Sequence, residues 1–151
     1  MRRIPFFSIA CLLTCAAFTQ DGKFEPLNVK PGQWQVTESY TTTGLPSGMG
    51  TRDITYKSCV TTKDLGTNPF NDPDEHCTWN VVKSNASDME VKGTSCDLGM
   101  DMKGNVDLKL HVVDLEHVNG SADWSANGNG NSINGHATGT GKWISATCAA
   151  K

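Results

Sequence analysis

Apolar and polar residues alternate with a period of two along most of the chain, most clearly from Met100 to Val112. There the even positions Met100, Met102, Val106, Leu108, Leu110 and Val112 are apolar, while the odd positions Asp101, Lys103, Asn105, Asp107, Lys109 and His111 are polar. This pattern predicts one long, half-buried β-strand. A strand with a single apolar face is not stable alone, so neighbouring segments must supply both partner strands and a cover for that face.

The same alternation marks the other strands. Lys30-Pro-Gly32 is a turn, and residues 33–40 carry Trp34, Val36 and Tyr40 on one side. A breaker-rich loop follows, and then Ile54, Tyr56 and Val60 alternate with Asp53, Thr55 and Lys57. Thr61 or Thr62 can cap a short helical turn that Gly66 ends. Two prolines exclude regular structure from the acidic loop 67–75. Residues 77–81 and 89–93 read as a hairpin, the long strand turns near Asp114 into 118–124, and Asn127-Gly-Asn-Gly-Asn131 signals a tight hairpin before residues 133–143. In that last strand Gly135, Ala137, Gly139 and Gly141 suit bends, bulges or close backbone approach. The expected fold is therefore all-β: a single antiparallel meander of about seven strands with one short helical turn, curled into a half-barrel or barrel that protects its edges.

The first residues do not belong to this pattern. Arg2 and Arg3, a short apolar run from Ile4 to Leu13 and small residues at Cys15-Ala-Ala17 have the form of a signal peptide, residues 1–17, with Thr19 as the other cleavage point. A lipoprotein would need Leu12-Leu-Thr-Cys15 to act as a lipobox, which fits poorly. Residues 18–29 read as a polar lead-in and 30–151 as a single domain. The expected location is periplasmic or secreted, with no transmembrane anchor in the mature chain.

Loss of Arg2 and Arg3 takes the net charge from −3 to −5, which argues against nucleic acid as a partner. It also leaves four of the six cysteines: Cys59, Cys77, Cys96 and Cys148. An even number in an exported chain points to disulfides. Cys77 and Cys96 are equidistant from the centre of their hairpin, which invites a direct bridge. The face argument opposes it, because the register that aligns Val81 with Val91 turns Cys96 away from Cys77. That argument selects Cys59–Cys77 with Cys96–Cys148, and a bulge at Val81-Val82 would reverse the choice.

Three stretches, Lys30-Pro-Gly-Gln-Trp34-Gln-Val-Thr, Cys59-Val-Thr-Thr-Lys-Asp-Leu65 followed by Cys77, and Gly141-Lys-Trp143 leading to Cys148, resemble the DUF3617 family of exported bacterial proteins of unknown function. Cys96 fits that family's four-cysteine layout. The resemblance implies an envelope location and a β-rich fold, and it supplies no catalytic residues.

Candidate chemistry is sparse. His111 and His117 flank Asp114 and Glu116, a grouping that can ligate a metal, but the spacing matches no recognised site and both are read as solvated histidines at a hairpin end, with no metal expected. Residues 71–76 carry carboxylates without the glycine or distant glutamate of a calcium loop. Gly139-Thr-Gly-Lys142 fails as a phosphate loop because Trp143 stands where Ser or Thr is needed. No serine elbow is present, so an envelope hydrolase is the most remote reading, and no cofactor is called for.

Trp34, Trp79, Trp124 and Trp143 all fall in phase with apolar neighbours. They either fill a core or, together with Met100 and Met102, line a cavity inside the curled sheet. The sequence thus leads to a non-enzymatic exported module that binds an apolar or amphipathic small molecule or an exported lipoprotein segment. The alternative is a structural or interaction module that meets another envelope protein.

Overall fold

The computed structural model describes residues 24–44, 51–66, 77–97 and 101–148. Seven antiparallel strands form one sheet: β1 (Gly32–Thr43), β2 (Arg52–Val60), β3 (Thr78–Ser84), β4 (Asp88–Asp97), β5 (Lys103–Asp114), β6 (His117–Gly128) and β7 (Asn131–Ser145). A helical turn, α1 (Thr62–Gly66), follows β2. The order across the sheet is β2-β1-β7-β6-β5-β4-β3, so β3 to β7 run as an uninterrupted meander and the β1–β2 hairpin joins it through β1 and β7. The sheet curls without closing, and β2 and β3 are its two edges: the fold is a half-barrel.

Local chemistry explains the ends of the elements. Asn129 (φ 50°) and Gly130 (φ 76°) are the two residues between Gly128 and its partner Asn131, the left-handed pair that matches the twist of a two-residue hairpin. Thr61 caps α1: its hydroxyl accepts from the Asp64 amide at 3.2 Å, and the Asp64 carboxylate accepts from the Thr61 amide at 2.8 Å. Those bonds, the backbone amide of Thr61 first, hold the Asp64 carboxyl below its ordinary range.

Strand registers sort the side chains into rows across the concave face. One row runs Trp79, Gly93, Val106, Trp124, Gly135. The next is Val81, Val91, Leu108, Ala122, Ala137, Tyr40, and the one after is Met89, Leu110, Gly120, Gly139, Glu38, Ile54. Further along, Val118, Gly141, Val36 and Tyr56 are followed by Trp143, Trp34 and Ser58. The most deeply buried apolar residues, Trp34, Met89, Val91, Cys96, Met102 and Ala126, include the even-numbered Met102 of the long amphipathic strand expected from the sequence.

The disulfides correct the pairing expected from strand faces: they are Cys59–Cys148 and Cys77–Cys96. The Val81–Val91 register is as the face argument required. A bulge does occur at Val82, but it lies beyond Val81 from the cysteines. The deciding irregularity is at Ser95, whose φ of 55° inserts one extra residue between Gly93 and Cys96. Thr94 and Ser95 are therefore both exposed, and Cys96 swings back to the buried face beside Cys77.

Candidate functional site

The concave face holds an open cavity of about 450 Å³. Its existence follows from side-chain size. In the central rows β6 and β7 present Gly120, Ala122, Ala137, Gly139 and Gly141, with Val118 as the one larger apolar side chain among the described residues of these strands on the lining, and the small residues leave the backbone floor low. One wall carries Met89, Leu108 and Leu110 from β4 and β5, and the other carries Trp34, Val36, Tyr56 and Val60 from β1 and β2. Leu65 of α1 reaches the same space. Apolar residues fill only the two ends of the half-barrel and leave its middle empty.

At one end the row of Trp79 and Trp124 closes the trough. Each indole lies over a glycine, Trp79 over Gly93 and Trp124 over Gly135, so two large rings fit in a single layer. Cys96, Met102 and Ala126 are buried beyond them.

Residues 24–30 cross the opposite end as a strap. Glu25 exchanges two hydrogen bonds with the Ser84 hydroxyl at 2.9 and 2.6 Å, the Asn28 amide donates to the Ala86 carbonyl, and the Lys30 amide donates to the Leu115 carbonyl. Two tryptophans fix its junction with β1: Trp34 Nε1 donates to the Lys30 carbonyl and Trp143 Nε1 to the Pro31 carbonyl, each at 3.0 Å. Lys30 also pairs with Glu116 and lies over the Trp143 ring. Phe24, Pro26, Leu27 and Val29 of the strap face the cavity. These four apolar positions lack any strand or helix period, so the stretch reads as a polar lead-in from sequence.

Of the six residues expected to line a cavity, Trp34 does so. Trp79 and Trp124 plug one end, Trp143 anchors the strap, and Met102 is buried away from the lining. Met100 lies outside the described residues, as do residues 1–17, which the sequence reading expects to be a signal peptide, and the carboxylate-bearing residues 71–76. The lining missed by the sequence reading, the small residues of β6 and β7, was visible as an alternation with Ser, Thr and Lys.

Among the described residues the charged groups on the lining are two carboxylates, Asp64 and Glu38. Glu38 accepts a 2.8 Å hydrogen bond from the Tyr56 hydroxyl. Burial, and then the Glu38 carboxylate beside it, push the Tyr56 phenol up to about 12.

The histidines do not converge. His111 Nδ1 is 2.8 Å from Asp88, His117 Nδ1 is 2.9 Å from Asp114, and His136 Nδ1 is 2.6 Å from Asp123, three separate pairs on the exposed surface. Asp88 is held below its ordinary range first by Lys83 and then by His111, and Asp114 first by the Glu116 amide and then by His117. Among the described residues there is no group of three or more metal-ligating side chains. No helix there is long and apolar enough to cross a membrane.

In comparisons with known proteins, the model of the family described as "Protein of unknown function (DUF3617)" matches residues 29–148. No curated protein and no solved structure matches the chain.

Proposed function

The chain belongs to the DUF3617 family, and we propose that its half-barrel is a non-enzymatic binding module that holds an apolar or amphipathic molecule in the concave groove. The observation that carries this reading is the unfilled apolar trough itself. A sheet meant only as a scaffold fills its concave face with its own side chains, since unfilled apolar volume costs stability. Here five small residues in the two central strands keep about 450 Å³ open, within the ~300–1,000 Å³ typical of small-molecule sites. The trough opens to solvent, so an acyl chain or other elongated ligand enters without unfolding the sheet.

An extracytoplasmic location, periplasmic or secreted, is part of the proposal. It is supported by the two disulfides, which persist in oxidising compartments, and by the leader-like pattern of residues 1–17.

The test is native mass spectrometry of the protein purified from a bacterial periplasm, followed by solvent extraction of whatever dissociates. A mass increment from an apolar molecule near one per chain is expected. It should be absent in Ala137→Phe, which places a ring on the trough floor. Wild-type protein that neither carries such a molecule nor takes up an apolar fluorophore, or an Ala137→Phe variant that does so undiminished, overturns the reading. A second reading, docking of an exported protein's segment, draws on the exposed Ile54 and Tyr56 along edge strand β2. It predicts a peptide rather than a lipid in the extract.

A further inference from the structure

We propose that the groove selects an apolar chain that ends in a protonated amine, with the Glu38 carboxylate as the acceptor for that head group. This rests on the ligand-binding reading above and adds the chemistry of the ligand's polar end. Glu38 projects from β1 at a position whose neighbours in the same row are Met89, Leu110, Gly120 and Gly139. A Cβ on Gly139 would lie 3.3 Å from the Glu38 Cγ, so the side chain lies across the small-residue floor. A carboxylate on an apolar floor is costly unless its lone pairs are used.

Those lone pairs are only partly used. An ionised carboxyl offers about four acceptor sites, and the hydrogen bond from Tyr56 takes one of them. Among the described residues Glu38 is in no ion pair. The other charged residue of the lining, Asp64, is spoken for: its carboxylate accepts from the amide and the hydroxyl of Thr61 at 2.8 and 2.7 Å. Among the described residues no lysine, arginine or histidine lies on the lining. As far as those residues go, the site is therefore an apolar trough with no cation on its lining, and the Glu38 carboxylate, with one donor in Tyr56, has the most acceptor capacity left. An ammonium group, with three donors and a positive charge, fits it in both respects. A carboxylate or phosphate head would meet a like charge with nothing to offset it.

The experiment compares three twelve-carbon chains that differ only in the head: dodecylammonium, dodecanol and dodecanoate. The two ions are used below their micelle concentrations and dodecanol below its solubility limit, each to displace the neutral fluorophore N-phenyl-1-naphthylamine from the oxidised protein at pH 7. Dodecylammonium should bind about tenfold more tightly than dodecanol, as expected for one charge-assisted hydrogen bond in a partly desolvated site, and dodecanoate should bind most weakly. Glu38→Gln should bring dodecylammonium to the level of dodecanol measured on the same variant, removing the roughly tenfold preference between the two heads. Tyr56→Phe should preserve the order, because it removes only the competing donor. An equal or reversed ranking of the heads in the wild type, or a preference that survives Glu38→Gln, overturns the head-group assignment and leaves the trough as a chain-binding site. If neither the fluorophore nor dodecanol binds the wild type, both this inference and the binding reading fall.

Discussion

The Trp124 indole stands directly over Gly135, its cross-strand partner, so that a Cβ on that glycine would lie 2.0 Å from the nearest ring atoms. Gly93 is in the same relation to Trp79, with a Cβ 2.8 Å from the ring and 3.0 Å from the Cys96 sulfur. Both glycines are therefore needed for space. Gly135→Ala and Gly93→Ala should each lose about 1–3 kcal/mol in urea unfolding through overpacking. Gly130→Ala is the control: no atom lies within 4 Å of its Cβ position, and only its left-handed φ is strained. It should lose about 1 kcal/mol.

Peptide mapping of the unreduced protein should return Cys59–Cys148 and Cys77–Cys96. The first joins residues 89 apart and the second residues 19 apart. On the chain-entropy argument, replacing both cysteines of the long bridge with alanine should cost about 4–5 kcal/mol, against about 3 kcal/mol for the short one. Equal losses in denaturant unfolding, or a larger loss for the short bridge, would contradict that account.

Tyr56 should ionise late. Its phenol is pushed up to about 12, so its phenolate absorbance should appear well above the ordinary phenol range of about 10. The folded state holds this proton more tightly than the unfolded one. The associated stability is therefore fully present below pH ~10 and is lost as pH rises through ~12. In Glu38→Gln the ultraviolet titration should move back towards the ordinary value, because burial remains as a cause but the neighbouring charge does not.

Asp88 predicts the opposite pH dependence. Lys83 and then His111 depress its carboxyl in the folded state, so its contribution is present above the ordinary carboxylate range and is lost as pH falls through the depressed value. Asp88→Asn should flatten the fall of the urea midpoint below pH ~4 and change little at pH 7, since its partners are exposed.

Period-two alternation made all seven strands readable, because a half-buried sheet writes its faces directly into the sequence. The tight hairpin within Asn127–Asn131 and a helix cap at Thr61 or Thr62 were equally plain, each being a local rule with a local residue signature, and the structure puts the turn at Asn129-Gly130 and the cap at Thr61. The cysteine pairing was not readable in this way. It turns on Ser95 in a left-handed conformation, and serine gives no notice of one. The tryptophans could be read only as in phase with the apolar neighbours of their strands, since their row decides whether they line the groove or plug it, and a row is fixed only by register. The small residues of β7 were noticed as a source of curvature, while their role as a floor required knowing that Gly120 and Ala122 of β6 lie beside them. The strap was the least legible part, since its partners Ser84, Ala86 and Leu115 are more than 55 residues away in the chain.

The pairing of β1 with β7 sets an order of events. β1 is the first strand made and β7 the last, yet they lie side by side, and Trp34 waits on β1 for Trp143 and Gly141 to arrive. A chain delivered from its N-terminus would therefore present one wall of the trough long before its floor, and the trough would be complete only when the final strand slots in and Cys148 reaches Cys59. Until then the apolar face of the β1–β2 hairpin stays uncovered, so one wall of the trough is open to solvent for as long as the chain remains unfinished.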